Sequence, residues 1–150
     1  MNMAERELRI KRVYAEPSED DGERILVDRL WPRGLTKAKA KVDLWLKEVA
    51  PSNELRKWFA HDPDRWAEFK RRYVAELKAA DKPLSLLQQE TSRETVTLLY
   101  GARDEEHNEA VVLLELLQRN NRREPCHRMY VALLFGTRRL IRMRDTSRRS

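Results

Sequence analysis

Residues 28–34 carry side chains that are well suited to hold an anion. Arg29, Trp31 and Arg33 stand at alternate positions of this segment, and a carboxylate, a proline and a glycine accompany them in a predicted turn. Guanidinium groups bind phosphate and carboxylate through paired hydrogen bonds, and an indole ring can stack on a base or a sugar. The aliphatic run at 25–27 directly precedes this turn and predicts a buried strand. In α/β sheets the carboxyl ends of strands face the ligand crevice. The segment therefore predicts an anion-binding site at the end of this strand.

A second polar cluster begins at Tyr100, the last residue of another predicted strand, and continues with Asp104, His107 and Asn108. If the two strands are parallel neighbours, both clusters lie at one edge of the sheet. The start of a helix there would add backbone donors and a partial positive charge. We expect Asp104 to orient His107, and Lys11 and Tyr100 to contribute at the rim. The alternative is that the arginines pair with nearby carboxylates and only pin loops together.

His61 is the other candidate for acid–base chemistry. It lies between two predicted helices and is followed by Asp62 and Pro63, which are explained as the N-cap and first residue of the second helix. If the site is catalytic, His107 or His61 would act as acid or base in a hydrolysis or group transfer without a metal.

Neither a metal nor a cofactor is predicted. The three histidines share no ligand spacing, and the single cysteine excludes a cysteine-based zinc site. With only four glycines, the chain has no GxGxxG, Walker or GxSxG motif. The ligand that the residues favour is therefore an anionic small molecule or a nucleotide, bound without a metal or cofactor.

Strand and helix patterns alternate along the chain, which predicts an α/β fold: a small single domain with a mostly parallel sheet flanked by helices. Period-two or aliphatic runs predict strands near 8–14, 24–29 and 95–100, and the run 42–46 fits either a strand or the end of a short helix from Thr36. Helices are expected to begin at Ser52 and at Asp62, the second ending near residue 80. A short helix is expected at 83–89, and the last helix is expected to begin at Asp104 or Glu105.

Positive charge is concentrated at the end of the chain. Residues 121–150 hold nine arginines and two acids, a formal charge of +7, whereas residues 1–120 hold 22 basic and 23 acidic side chains, a charge of −1. The predicted organisation is therefore a domain at 1–120 and a basic C-terminal extension at 121–150. A single cysteine, the lack of a secretory signal and the shortness of the apolar runs predict a cytoplasmic protein without a transmembrane segment.

Several segments together resemble one family, the YeaO-like proteins of domain of unknown function 488. They include 10–14, 27–34, 43–47, 50–52, 54–59, 61–63, 97–100 and 104–108, with Trp66, Phe69 and Tyr73 between them. The resemblance spans roughly residues 7–118 and implies a small cytoplasmic prokaryotic α/β domain without an assigned activity. The recurring polar motifs of the family coincide with Arg29, Trp31, Arg33, His61, Asp62, Asp104, His107 and Asn108. The sequence departs from the family pattern after Gln118.

Three functions follow as hypotheses. The first is binding of an anionic small molecule or nucleotide at the strand ends, with or without chemistry. The second is a non-catalytic nucleic-acid-binding or regulatory protein that acts through the basic extension. The third is a structural or partner-binding domain, in which the arginines and tryptophans form internal or interface contacts.

Overall fold

Among residues 6–123, four parallel strands form one sheet, and a mostly parallel sheet is what the alternating pattern predicts. The computed structural model describes residues 6–123. The strands lie in the order β1-β4-β2-β3, and all three neighbouring pairs are parallel. Their bounds are Leu8–Arg12 (β1), Glu23–Leu26 (β2), Leu44–Trp45 (β3) and Val96–Tyr100 (β4). The last residues of β2 and β4 therefore meet at the same edge of the sheet, which is the arrangement that the two polar clusters require.

In the described part of the chain, five α-helices connect and cover the strands. They are Lys37–Ala40 (α1), Asn53–Phe59 (α2), Trp66–Ala79 (α3), Asp81–Arg93 (α4) and Glu109–Arg123 (α5). Three short 3-10 turns lie at Glu19–Asp21, Lys47–Val49 and Pro63–Arg65. The fold is thus a small α/β domain.

The buried strand β4 separates two hydrophobic clusters of unequal size, because its side chains alternate between the faces of the sheet. Val96 and Leu98 pack in the larger cluster, with apolar residues from α2, α3, α4 and α5. Leu99 packs in the smaller cluster, with Leu26 of β2 and Ala40 of α1. The four longer helices therefore cover one face, and α1 with the loop after β2 covers the other.

The predicted helix starts in the middle of the chain are confirmed. The side chain of Ser52 accepts a hydrogen bond from the Leu55 amide at 3.1 Å, and α2 begins at the next residue. The carboxylate of Asp62 caps the turn that starts with Pro63 and leads directly into α3. The run 42–46 contains a strand, β3, and the short helix that Thr36 caps ends before this run, at Ala40.

Two helix boundaries differ from the prediction. The helix expected at 83–89 is the longer α4, because Pro83 lies in its first turn, where a missing amide hydrogen costs no helical hydrogen bond. The last helix begins at Glu109 rather than at residue 104 or 105. Asp104 caps a turn of its own, and Asn108 then accepts a hydrogen bond from the Val111 amide at 3.2 Å.

The end of the described chain bears on the predicted domain boundary. Residue 120 lies inside α5, which continues to Arg123. Most of the basic extension, residues 124–150, lies outside the described residues. The hypothesis of nucleic-acid binding concerns that extension and therefore also falls outside them. Within 6–123, no helix has both the length and the apolar character needed to cross a membrane.

Candidate functional site

A direct hydrogen bond joins the two loops that leave the adjacent strands β2 and β4. The Gly101 amide donates to Oδ2 of Asp28 at 2.8 Å. A Cβ atom at position 101 would lie only 2.9 Å from the same oxygen, closer than Cβ atoms approach in proteins, so this contact favours glycine. The carboxylate of Asp28 is therefore fixed at the sheet edge, directly before Arg29.

A cavity of about 300 Å³ opens beside this junction, and we call it the strand-edge cavity. Its charged and polar lining residues are Asp28, Arg29, Arg56, His61, Asn108 and Glu109, and its apolar lining includes Tyr14, Leu30, Trp31, Pro51, Phe59 and Phe69. Its volume lies at the small end of the range for small-molecule sites.

Arg29 enters the strand-edge cavity without a carboxylate partner. Its Nε donates to the carbonyl of Pro51 at 3.2 Å, and its Nη2 donates to the carbonyl of Ala50 at 3.3 Å. Among residues 6–123, no acidic group lies within ion-pair distance of Arg29, and no hydrogen bond engages its Nη1. The two carbonyls thus hold the guanidinium in place, and its charge is left uncompensated by a direct contact.

Arg56 supplies a second guanidinium, which sequence reasoning missed. It is exposed on α2, and its Nη2 donates a long hydrogen bond of 3.4 Å to Oδ1 of Asn53. Nothing in the local sequence distinguishes it from the other charged residues of that helix. Only the packing of α2 beside the loop after β2 brings it to the strand-edge cavity.

His61 lines the strand-edge cavity because α2 ends in an unusual way. Ala60 and His61 both have positive φ angles, 47° and 57°, so two successive residues adopt the left-handed conformation that turns the chain. The imidazole lies 5.8 Å from the ring of Phe59, measured between ring centroids. The turn thus presents an exposed, titratable ring to the same space as the arginines.

Aromatic and aliphatic side chains form the apolar side of the strand-edge cavity. The indole of Trp31 donates from Nε1 to the carbonyl of Leu35 at 2.7 Å and lies edge-on to Trp45, with ring centroids 5.4 Å apart. Leu30 is 62% exposed and Tyr14 is 42% exposed. Large apolar side chains exposed beside two guanidiniums make an amphiphilic rim, which suits an anion that carries a ring or a hydrocarbon group.

Asn108 and Glu109 reach the strand-edge cavity from the start of α5. Both polar atoms of the Asn108 side chain are used within the fold: Nδ2 donates to the carbonyl of Asp104 at 2.9 Å, and Oδ1 accepts from the Val111 amide. Burial raises the pKa of the Glu109 carboxyl well above its ordinary value, and a hydrogen bond and the charge of Asp28 raise it further. Asp28 and Glu109 thus form a carboxyl pair that the sequence does not predict, although Asp28 begins the segment 28–34.

Asp104 and His107 form the predicted pair, but outside the strand-edge cavity. Nδ1 of His107 lies 2.8 Å from Oδ2 of Asp104, and the imidazole packs edge-on against Trp66. The other oxygen of Asp104 accepts from the amides of Glu106 and His107. Those backbone hydrogen bonds, with that of the imidazole, lower the pKa of Asp104.

Three other predicted residues also lie away from the strand-edge cavity. Lys11 and Tyr100 line a second concavity of about 390 Å³. Nζ of Lys11 contacts both carboxylate oxygens of Asp21, at 3.0 and 3.1 Å, and burial raises the pKa of the Tyr100 phenol. Arg33 is exposed, and its carbonyl accepts from the hydroxyl of Tyr14 at 2.9 Å. The structure therefore brings together Arg29, Trp31, His61 and Asn108.

One acidic cluster among residues 6–123 has metal-ligand spacing, and no histidine belongs to it. Oxygens of Glu23, Glu90 and Glu94 lie within 4.8 Å of one another. Arg93 forms ion pairs with Glu90 at 3.1 Å and with Glu94 at 3.4 Å. The guanidinium partly neutralises the cluster and occupies oxygens that a cation would need.

Comparison with known proteins identifies related sequences. Residues 7–130 match a family model described as "Inactive DUF488-N3 subclade". Uncharacterized protein Rv3073c of Mycobacterium tuberculosis (strain H37Rv) is 43% identical over 113 residues, which cover 75% of this chain and 95% of that protein. Uncharacterized protein YeaO of Escherichia coli (strain K12) is 41% identical over 111 residues, which cover 74% of this chain and 96% of that protein. No solved structure matches significantly. The family match includes every residue that lines the strand-edge cavity.

Proposed function

The chain belongs to the YeaO-like DUF488 family, and we propose that it binds a small organic anion, a nucleotide or another phosphate or carboxylate, in the strand-edge cavity without turning it over. The observation that carries the proposal is the state of Arg29. Two main-chain carbonyls orient its guanidinium, and no carboxylate within 6–123 neutralises it. A guanidinium fixed in this way at the wall of a cavity is suited to receive an anionic group.

The charge balance of the strand-edge cavity supports an anionic ligand. Arg29 and Arg56 contribute two positive charges. The raised pKa of Glu109 favours a neutral carboxyl there, so Asp28 contributes the only full negative charge. The lining residues therefore carry a net positive charge before any contribution from His61.

The placement of the predicted acid–base pair supports binding without turnover. Asp104 contacts His107, and His107 packs against Trp66, outside the strand-edge cavity, so the pair does not face the same space as the arginines. The word "Inactive" in the description of the matching subclade favours the same choice. The proposal places this binding in the cytoplasm, which suits a chain with a single cysteine.

Arg56→Ala in the full chain is the most direct test, because Arg56 is exposed and contributes little to the fold. Thermal unfolding would first be screened against sulfate, phosphate, nucleoside monophosphates and dicarboxylates, since a ligand at a hundred times its Kd stabilises by about 2.7 kcal/mol. Titration calorimetry would then give the affinity for the best ligand. We expect Arg56→Ala to weaken it at least about tenfold, because a hydrogen bond to a charged group contributes roughly 1.5–3 kcal/mol.

Lys57→Ala is the matched control. It removes the same charge from the neighbouring exposed residue of α2, which does not line the strand-edge cavity. We expect its affinity to stay close to that of the unmodified chain. Equal effects of the two substitutions, or a panel in which no anion raises the melting temperature, would contradict the proposal.

A further inference from the structure

We propose that Asp28 and Glu109 hold a single proton between them, and that the strand-edge cavity binds its anion tightly only while that proton is held. This inference rests on the proposed function, and it adds that a bound proton controls the affinity for the anion. It makes the carboxyl pair the element that sets the charge of the strand-edge cavity.

One carboxylate oxygen of Asp28 is buried and lacks a hydrogen-bond donor among residues 6–123. Oδ2 accepts the hydrogen bond from the Gly101 amide, which fixes the carboxylate. Oδ1 is buried from solvent, and no N–H or O–H group of residues 6–123 donates a hydrogen bond to it. The carboxyl of Glu109 is in hydrogen-bonding contact with Asp28. A hydrogen bond between two carboxyl groups needs a proton on one of them, so a proton on Glu109 would satisfy Oδ1.

No cation bridges the two carboxyl groups. Among the residues that the structure describes, neither Asp28 nor Glu109 forms an ion pair. The guanidinium of Arg29 is turned to the carbonyls of Ala50 and Pro51. Two adjacent carboxylates without a cation between them repel each other, and binding of one proton removes the repulsion.

The groups that surround Glu109 support a raised proton affinity. Burial raises the pKa of its carboxyl most, followed by the hydrogen bond and the charge of Asp28, whereas its own backbone amide and Arg56 act in the opposite direction. Glu109 acts electrostatically on Tyr73 of α3 and Tyr100 of β4, and burial raises the pKa of both phenols, so they stay neutral. His61 is a further ionisable side chain that lines the strand-edge cavity.

The state of the pair decides the net charge that a ligand meets. With one proton on the pair, the two guanidiniums outnumber the single carboxylate. Without that proton, two carboxylates balance the two guanidiniums, and the net attraction for an anion disappears. Anion binding and proton binding therefore favour each other, and above the upper pKa of the pair the affinity falls about tenfold per pH unit, the limit for one linked proton.

Sulfate is the probe for this linkage, because it remains a dianion over the whole working range of about pH 5 to pH 9. Its affinity for the full chain would be measured across that range at constant ionic strength. The same profile would be recorded for Glu109→Gln, which keeps an uncharged side chain, and for His61→Gln, which removes the other titrating group. Glu106→Gln, at an exposed position outside the strand-edge cavity, is the matched control.

We expect a decline of affinity with rising pH that persists in His61→Gln and Glu106→Gln and is flattened in Glu109→Gln. A decline that disappears in His61→Gln and persists in Glu109→Gln would overturn the inference. Sulfate binding that is independent of pH in the unmodified chain would overturn the linkage and leave the anion site standing. Absence of sulfate binding at every pH would overturn both the linkage and the sulfate-accepting site.

A second measurement needs neither a ligand nor a variant. The side-chain carboxyl carbons of Asp28 and Glu109 would be followed by NMR as a function of pH in the full chain. We expect one of the two titration steps to lie well above the ordinary range of a glutamate. Two carboxyls that both titrate below about pH 5 would overturn the shared proton.

Discussion

Two arginines of this domain, Arg24 and Arg29, differ in the groups that accept their hydrogen bonds. Arg24 is 4% exposed, and its donors contact a carboxylate of Asp21 at 2.6 Å and the carbonyls of Ala40 and Lys41. Arg29 donates only to carbonyls and keeps its charge open to the strand-edge cavity. The first residue therefore stabilises the fold, and the second is available for a ligand.

The structural role of Asp21 can be tested by Asp21→Asn. Burial acts to raise the pKa of this carboxyl, but the Ser18 amide, Lys11 and Arg24 outweigh it and hold the pKa below its usual 3.8. The substitution leaves two partly or fully buried cations without their partner, so we expect a loss of about 3 kcal/mol in the free energy of unfolding near neutral pH. Urea denaturation measures this loss.

The pH dependence of the free energy of unfolding provides a second test of the role of Asp21. A lowered folded pKa contributes stability that is present above the unfolded pKa and is lost as the pH falls through the folded pKa. The difference between the unmodified chain and Asp21→Asn should therefore shrink toward about pH 3. Asp20→Asn, at the neighbouring exposed position, is the control. A loss of stability that is equal for both variants would count against this role.

At the scale of single elements, the start of α2 holds the arginines in place. The Ser52 hydroxyl caps the Leu55 amide and also donates to Oε2 of Glu76 on α3 at 2.6 Å. Glu76 accepts a second hydrogen bond from the Ser52 amide at 3.0 Å. This junction lies directly after the carbonyls of Ala50 and Pro51, which orient Arg29, and four residues before Arg56.

Ser52→Ala tests this junction. We expect it to lower the free energy of unfolding by about 1 kcal/mol, the usual cost of losing an N-cap, because the cap and one contact to Glu76 disappear together. Chemical denaturation measures the change, and Ser85→Ala at an exposed position of α4 is the control. A variant as stable as the unmodified chain would show that the cap is dispensable.

The sequence predicts those elements whose signals are local. The caps at Ser52 and Asp62 and the run ending at Tyr100 depend on neighbouring residues, and each is confirmed. The predicted start of α5 at Asp104 or Glu105 is too early, because Asp104 satisfies the sequence pattern of a cap while capping only a turn. Asn108 supplies the side-chain oxygen at the start of the helix, and the sequence pattern alone does not distinguish the two roles.

The residues of the candidate site that the sequence predicts lie after strand ends and, for His61, at the junction of two helices. Arg29 and Trp31 could be placed because the end of a buried strand is visible in the sequence, and the parallel pairing of β2 with β4 confirms the shared edge. Arg56 and Glu109 reach the strand-edge cavity from two different helices, and Asp104 with His107 turns away from it. Those positions depend on helix packing, which no local pattern records.

At the scale of the whole molecule, the parallel sheet sends the carboxyl ends of all strands to one side. β4 lies between β1 and β2, so the loop after β4 reaches the loop after β2. The fold therefore gathers at one edge residues that are about seventy positions apart in the chain, as in the contact between Asp28 and Gly101.

The carboxyl pair should also affect the stability of the whole fold. The pKa of Glu109 is raised in the folded chain, so its stabilising contribution is complete below its usual 4.5 and is lost as the pH rises through the folded pKa. Glu109→Gln remains neutral at every pH. We expect its melting temperature, relative to the unmodified chain, to be higher at about pH 8 than at about pH 5.

Glu106→Gln serves again as the control for this comparison. Its relative melting temperature should not change between the two pH values, because its side chain is exposed. A relative melting temperature of Glu109→Gln that is the same at both pH values would contradict the raised proton affinity in the folded state.

The central claim is that an anion binds in the strand-edge cavity, and an NMR titration of the isotope-labelled full chain with sulfate tests it most directly. We predict saturable shifts of the Gly101 and Ala102 amides and of the Arg29 and Arg56 Nε–H signals, all with one Kd. Shifts confined to Ile10 and Lys11 beside the second concavity, or to residues 124–150, would contradict the claim.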